Sequence, residues 1–250
     1  MIDTAVPGLV RLLGRYEIEG PGGRVIGCGE RAAWGLLGLL AECGDSGLAR
    51  SSAYARMWPD ADPRENRELF WRPMREVRTK LCEALGRPGR SGAAMVQNLG
   101  ASTYRLNPGL FTCDVWKLRR GLSAARCLNG AERSEALEQA IDLYSGPYMP
   151  GSPFEFAQNA SAALDREVAR AMVQMAALQD DAERALLYLE RASVIGAVDE
   201  YLYRRRMQLH ADLGQVHAVR CCYDELIERL RQLDAEPERR TKNLLRSLVG

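Results

Sequence analysis

The stretch ENRELFWRPMREVRTKL, Glu65 to Leu81, sets four arginines and a lysine among bulky apolar residues, with a proline near its middle. Guanidinium groups at this density do one kind of chemistry well: they offer forked N–H donors to anions, and in a duplex to phosphates and base edges. With about 100° of helix per residue, Phe70, Met74, Val77, Leu81 and Leu85 fall in one narrow arc, the spacing of a buried stripe. Arg72, Arg75, Glu76, Thr79 and Glu83 take the opposite side. Trp71 and Arg78 lie on one flank and Lys80 on the other. One face is built to be packed and the other to reach outward. Between Pro63 and Arg90 eight bases (Arg64, Arg67, Arg72, Arg75, Arg78, Lys80, Arg87, Arg90) meet four acids (Glu65, Glu68, Glu76, Glu83) and leave a local charge of +4. The whole chain carries only +1, so the basic character is concentrated here. A solvated face is the plain alternative, because Glu76 and Glu83 would repel phosphate.

The elements that must hold this helix are readable around it. GLVRLLGRYEIEG and RVIG are short β-rich runs divided by the turn Gly20 to Gly23. From Glu30 the pattern turns helical, with Ala33, Leu36, Leu37 and Leu40 on one face and a stop near Gly44. Arg50 to Trp58 is a second short helix, with Ser51 or Ser52 as its N-cap. AMVQNL and STYRLN read as a hairpin turning at Gly100 and Ala101. At 250 residues the chain has room for one large domain or two of roughly 100–150 residues each.

After the turn Asn107 to Gly109 the sequence reads as helix almost throughout. Ala182 to Ala192 and Val216 to Leu226 superpose with Ala185 on Ala218, Leu189 on Cys222 and Ala192 on Glu225. The common offset is 33 residues, close to the 34 of tetratricopeptide repeats. Arg133 to Tyr144 looks like an earlier copy, and Asp212 to Gln215 is the connecting turn.

Other chemistry finds little support. None of the three lysines (Lys80, Lys117, Lys242) follows a glycine, so a Walker phosphate loop is absent. His210 and His217 could join Cys221 on one helical side, but zinc usually takes four ligands and no fourth is evident. Packing is their expected role. The seven cysteines have no CxxC spacing and read as reduced, buried packing residues. No catalytic residue, metal or cofactor is expected, and the chain is not read as an enzyme. The start MIDTAVPGLVRLLG lacks the layout of a secretory signal, and no apolar run approaches the roughly 20 residues of a membrane span. A cytoplasmic protein without a membrane partner is the expectation.

The order of strands, three helices and hairpin resembles the winged helix attached to bacterial response regulators, and LGASTYRL is similar to that family's wing. Further on, CDVWKL (113–118), AIDLYSGPYMPG (140–151), DEYLYRRRMQLHADLGQ (199–215) and LDAEPERRTKNLL (233–245) follow in the order of the bacterial transcriptional activator domain of the Streptomyces antibiotic regulatory protein family. The Leu-Tyr-x-Gly-Pro element, Leu143 to Pro147, is its strongest signal. The resemblance implies a mainly α chain with a small β component: a winged helix-turn-helix over 1–110 and an all-α, tetratricopeptide-like activator domain over 111–250. It implies an activator of a biosynthetic gene cluster that binds direct repeats at a promoter, often as two protomers side by side. Such an activator recruits RNA polymerase through its sigma factor. On that reading Arg72, Arg75 and Thr79 face base edges, while Arg64, Arg67, Arg78, Lys80, Tyr104 and Arg105 approach the backbone of double-stranded DNA. Pro73 departs from the family pattern. Either the recognition helix starts near Arg72 after a separate turn from Arg64 to Trp71, the arrangement expected here, or one helix is kinked. The rival reading is a protein-interaction module whose degenerate winged helix no longer binds DNA.

Overall fold

Leucine spacing fixes the first helix: Ala33, Leu36, Leu37 and Leu40 are all fully buried, and α1 spans Arg31–Cys43 before Gly44 ends it at positive φ. The computed structural model describes residues 7–87, 92–196 and 198–249, so Arg90 and most of the loop around it lie outside the described residues. The chain divides into two units, one of residues 1–121 and 142–161, the other of residues 122–141 and 162–250. Drawn by contacts, the first unit therefore runs past residue 110 and takes in a later segment.

In the first unit β1 (Gly8–Arg11), β2 (Glu17–Glu19) and β3 (Val25–Ile26) are the expected short strands. They form an antiparallel run, closed on its other edge by a strand the sequence reading missed. That strand is β7 (Phe111–Cys113), which pairs parallel to β1. A second sheet joins β4 (Leu48–Ala49), β6 (Thr103–Leu106) and β5 (Val96–Gly100) in that order. Its β5–β6 hairpin is present as expected but turns one residue later, through Ala101 and Ser102, both at positive φ, because Gly100 still pairs with Thr103. Helix α2 is Arg50–Met57, and neither serine caps it. Its first N–H instead goes to the Ser102 carbonyl at 2.9 Å, because β4 runs straight into the helix from its pairing with β6.

Helix α3 spans Glu68–Ala84, so it starts before Arg72 and carries Pro73 inside it. A pre-helical turn exists, closed by Asn66 N–H donating to the Asp62 carbonyl at 2.9 Å, but it ends sooner than expected. The proline removes one rung of the ladder, the bond the Leu69 carbonyl would accept, and its ring joins the buried face.

The family-like SGPYM segment folds onto β1 and its following turn. Ser145 Oγ donates to the Leu13 carbonyl at 2.7 Å, Gly14 N–H to the Pro147 carbonyl at 2.9 Å and Met149 N–H to the Leu12 carbonyl at 2.8 Å. Gly14 and Gly146 meet backbone to backbone: a Cβ on Gly14, where φ is +71°, would lie 2.7 Å from the Ser145 carbonyl oxygen. Tyr148 Oη donates to the Gly38 carbonyl of α1 at 2.9 Å.

The second unit holds α5 (Gly130–Asp142, to Ile141), the body of α6 (Glu155–Ala177), α7 (Ala182–Ile195), α8 (Glu200–Asp212), α9 (Val216–Arg231) and α10 (Arg239–Val249). The DLGQ turn lies between α8 and α9 as expected. Of the three superposed pairs, Leu189 and Cys222 are both buried, whereas Ala192 is buried and Glu225 exposed. Arg206, 8% exposed, binds Glu225 Oε2 at 2.9 Å and stacks over Tyr203, whose hydroxyl reaches Glu225 Oε1 at 2.8 Å. Glu200 accepts the Glu238 N–H at the start of α10 and the Thr241 hydroxyl, fixing that helix to α8.

None of the seven cysteines forms a disulfide, but Cys127 and Cys221 are exposed, against the expectation of burial. Burial pushes the Cys28 thiol up to about 12, helped by the Glu76 charge, and the Cys222 thiol up to about 11. Mass spectrometry of the native protein after iodoacetamide treatment should find Cys127 and Cys221 modified first. Cys113 and Cys222 should react only after unfolding.

Candidate nucleic-acid interface

Helix α3 has two chemically opposed faces. Phe70, Met74, Val77 and Leu81 are fully buried, while Arg72, Arg75 and Thr79 are exposed. Two aromatics from other elements, Tyr54 of α2 and Tyr104 of β6, fix its position. Phe70 lies 6.4 Å from the Tyr54 ring of α2, 5.2 Å from Trp71 and 5.4 Å from Tyr104 of β6, centroid to centroid. The Tyr54 hydroxyl donates to the Asn66 and Arg67 carbonyls at 2.9 and 3.3 Å, tying down the loop that enters α3.

The arginines meant for base edges keep 69% (Arg72) and 63% (Arg75) of their side-chain surface, but both are paired. Arg72 Nε and Nη2 reach Glu30 Oε1 at 2.8 and 2.5 Å, and Arg75 Nη2 reaches Glu68 Oε2 at 2.7 Å. The Arg75 hydrogen bond holds the Glu68 carboxyl below its ordinary pKa. Thr79 Oγ1 donates back to the Arg75 carbonyl at 2.9 Å and retains its acceptor lone pairs.

The backbone candidates divide. Arg64 and Arg67 stand exposed in the loop before α3, where Arg67 and Arg72 border a cleft of about 420 Å³ with Glu68 and Trp58. Lys80 pairs with Glu83 at 3.0 Å, half-buried. Arg105 reaches across the wing to Gln97 Oε1 at 2.8 Å and lies 3.9 Å from Asp45. Arg78 donates to the Val96 carbonyl of β5 at 3.1 Å, and desolvation lowers its pKa. It therefore braces the wing against α3. Tyr104 leaves the surface set altogether: it is 5% exposed, with its ring against Phe70 and Trp71. The alternation of TYRL carried that signal, since a period of two puts Tyr104 with buried Leu106 and opposite to Arg105.

Two acids also behave differently from expectation. Glu76 Oε1 accepts the backbone N–H groups of Gly29 and Glu30 at 2.5 and 3.2 Å, so its carboxylate is engaged at the start of α1. Glu83 is neutralised by Lys80. Glu30, which the sequence reading left out, is the main partner of Arg72. No local pattern points to it, because the two are 42 residues apart.

His210 Nδ1 meets Gln215 Oε1 at 2.8 Å, and His217 Nε2 lies 3.5 Å from Cys221 Sγ. Among the described residues no group of three or more His, Cys, Asp or Glu is arranged to hold a metal, and no helix is long and apolar enough to cross a membrane.

Residues 113–249 match the family model described as the bacterial transcriptional activator domain. Among solved structures the chain resembles Mycobacterium tuberculosis EmbR in complex with a low affinity phosphopeptide, with a TM-score of 0.73 over 97% of this chain and 65% of that one. Identity is 17%, so the likeness bears on fold. It agrees with the mainly helical chain and small N-terminal β component described above. No curated protein matches the sequence.

Proposed function

This chain is a member of the bacterial transcriptional activator domain family, a transcriptional regulator of the Streptomyces antibiotic regulatory protein type, and we propose that it works by sequence-specific binding to promoter DNA. The observation that carries the reading is the exposure of Arg72, Arg75 and Thr79 on the outer face of a helix whose inner face is fully buried. A helix of this kind fits the major groove, about 12 Å wide, where arginine pairs with guanine O6 and N7. Arg64, Arg67, Lys80 and Arg105 border the same helix and hairpin and would neutralise phosphates. The family resemblance adds the rest of the proposal: a biosynthetic gene cluster as target and two protomers side by side on direct repeats. Tetratricopeptide-like repeats would then serve RNA polymerase and its sigma factor in the cytoplasm.

Binding-site selection from a random duplex pool, followed by a footprint on the gene's own upstream region, tests the reading. Arg75→Ala should lose preference at one base position. Lys80→Ala should weaken all duplexes alike and reduce the slope of log K against log salt by about 1. Equal losses on selected and random duplex after Arg75→Ala would remove that residue from base reading. The acid partners of Arg72 and Arg75 are the one observation favouring a protein-interaction module instead. That reading expects no duplex to be retained even at low salt.

A further inference from the structure

Arg72 is exposed without being loose. Its contacts to Glu30 Oε1 use Nε and Nη2, which form one edge of the planar guanidinium. Glu30 is itself held, because it is the N-cap residue of α1 and its backbone N–H, with that of Gly29, donates to Glu76 Oε1. Glu76 stands four residues after Arg72 on α3, one turn along the same side. The contacts therefore close a circuit: α3 through Glu76 to the start of α1, and from there through the Glu30 carboxylate back to α3 at Arg72. Arg75 differs. Its side-chain contact joins it to Glu68 at i, i−7, with both side chains more than 60% exposed, and water screens an exposed pair of this kind so that it holds its arginine only loosely.

We propose that Glu30 and Glu76 are positioning residues for base recognition, holding Arg72 by its Nε/Nη2 edge so that its Nη1/Nη2 edge faces outward as a fixed two-donor fork for guanine. No described residue accepts from Nη1 of Arg72, and two parallel donors match the O6 and N7 acceptors of that base. The proposal rests on the DNA-binding reading and deepens it by naming what orients one reader. A bare electrostatic role makes the opposite forecast. Were Glu30 only a competitor for Arg72, removing its charge would tighten every duplex by a common factor.

The test is selection from a random duplex pool with the full chain, run on wild type and variants. Arg72→Ala identifies the base position that Arg72 reads. Glu30→Ala should relax preference at that same position by about tenfold, within the range of one bidentate contact, while random-duplex affinity stays level or rises. Glu30→Gln keeps an acceptor at the same reach and should retain the preference to within about threefold. Glu30→Asp keeps the charge but is one methylene too short, and should relax the position as Glu30→Ala does; it also serves if the alanine variant fails to fold. Glu30→Ala and Glu30→Gln both tightening selected and random duplex equally, with the position intact, would overturn the proposal. So would Glu30→Asp behaving as wild type. A wild-type protein that selects no sequence at any salt overturns the DNA-binding reading, and this inference with it.

Discussion

Replacing Asp114 by alanine is expected to destabilise the first unit by about 3 kcal/mol or more. The carboxylate is 7% exposed and accepts three backbone N–H groups: Leu12 and Leu13 on Oδ2 at 2.9 Å each, and Val115 on Oδ1 at 2.8 Å. Alanine leaves all three buried donors without a partner, and each such loss costs about 1–3 kcal/mol. The position also opens α4 (Asp114–Ala125), where a negative charge favours the helix dipole. Asp114→Asn should cost about half as much, because its amide keeps one acceptor and turns donors toward donors on the other side. All four tryptophans (Trp34, Trp58, Trp71, Trp116) lie in the first unit, so urea unfolding followed by tryptophan fluorescence reports that unit alone. A shift in the transition below about 1 kcal/mol would show that water or a shifted backbone replaces the carboxylate.

Asp114 also marks how far the sequence could be read. An aspartate opening a helix reads locally as a cap, yet two of its three partners lie more than 100 residues upstream. Strand β7 was missed for the same reason: three residues become a strand only because β1 offers an edge to pair with. The stripe of α3, by contrast, was legible from spacing, since burial of an amphipathic helix obeys its own period. Its first residue was not. The helix starts five residues ahead of Pro73, and local rules that place proline in the first turn cannot foresee that the buried ring and the Tyr54 hydroxyl hold the preceding turn in place. Within the candidate interface, the outward arginines followed from helical phase. What they touch did not: Glu30 and Glu76 become partners of α3 through the packing of α1, which no local pattern encodes. The resemblance assigns Arg78 and Tyr104 to phosphate, but tertiary packing turns both inward, Arg78 to the Val96 carbonyl of the wing and Tyr104 onto Phe70 and Trp71 of α3.

That packing has a measurable consequence at Phe70. The ring is fully buried and stands between α2 and β6, with Tyr54, Trp71 and Tyr104 around it. Phe70→Ala should cost about 3–5 kcal/mol in the same fluorescence-detected unfolding, the range for deleting a core aromatic and leaving a cavity. Phe70→Leu should recover most of it, because it restores much of the volume. The functional expectation is sharper than the loss of stability. Tyr104 and Trp71 set the hairpin against α3, while Tyr54 sets the entry loop. Under conditions where the alanine variant remains folded, affinity for the selected duplex should therefore fall by tenfold or more, in line with the loss of one or two aligned base contacts at about 1–3 kcal/mol each. Random-duplex affinity, which depends on the number of bases near phosphate and not on their alignment, should change by less than about threefold. An alanine variant that unfolds early yet still discriminates the selected site would place the alignment of wing and helix elsewhere, with the Arg78 bond to the Val96 carbonyl as the next contact to cut.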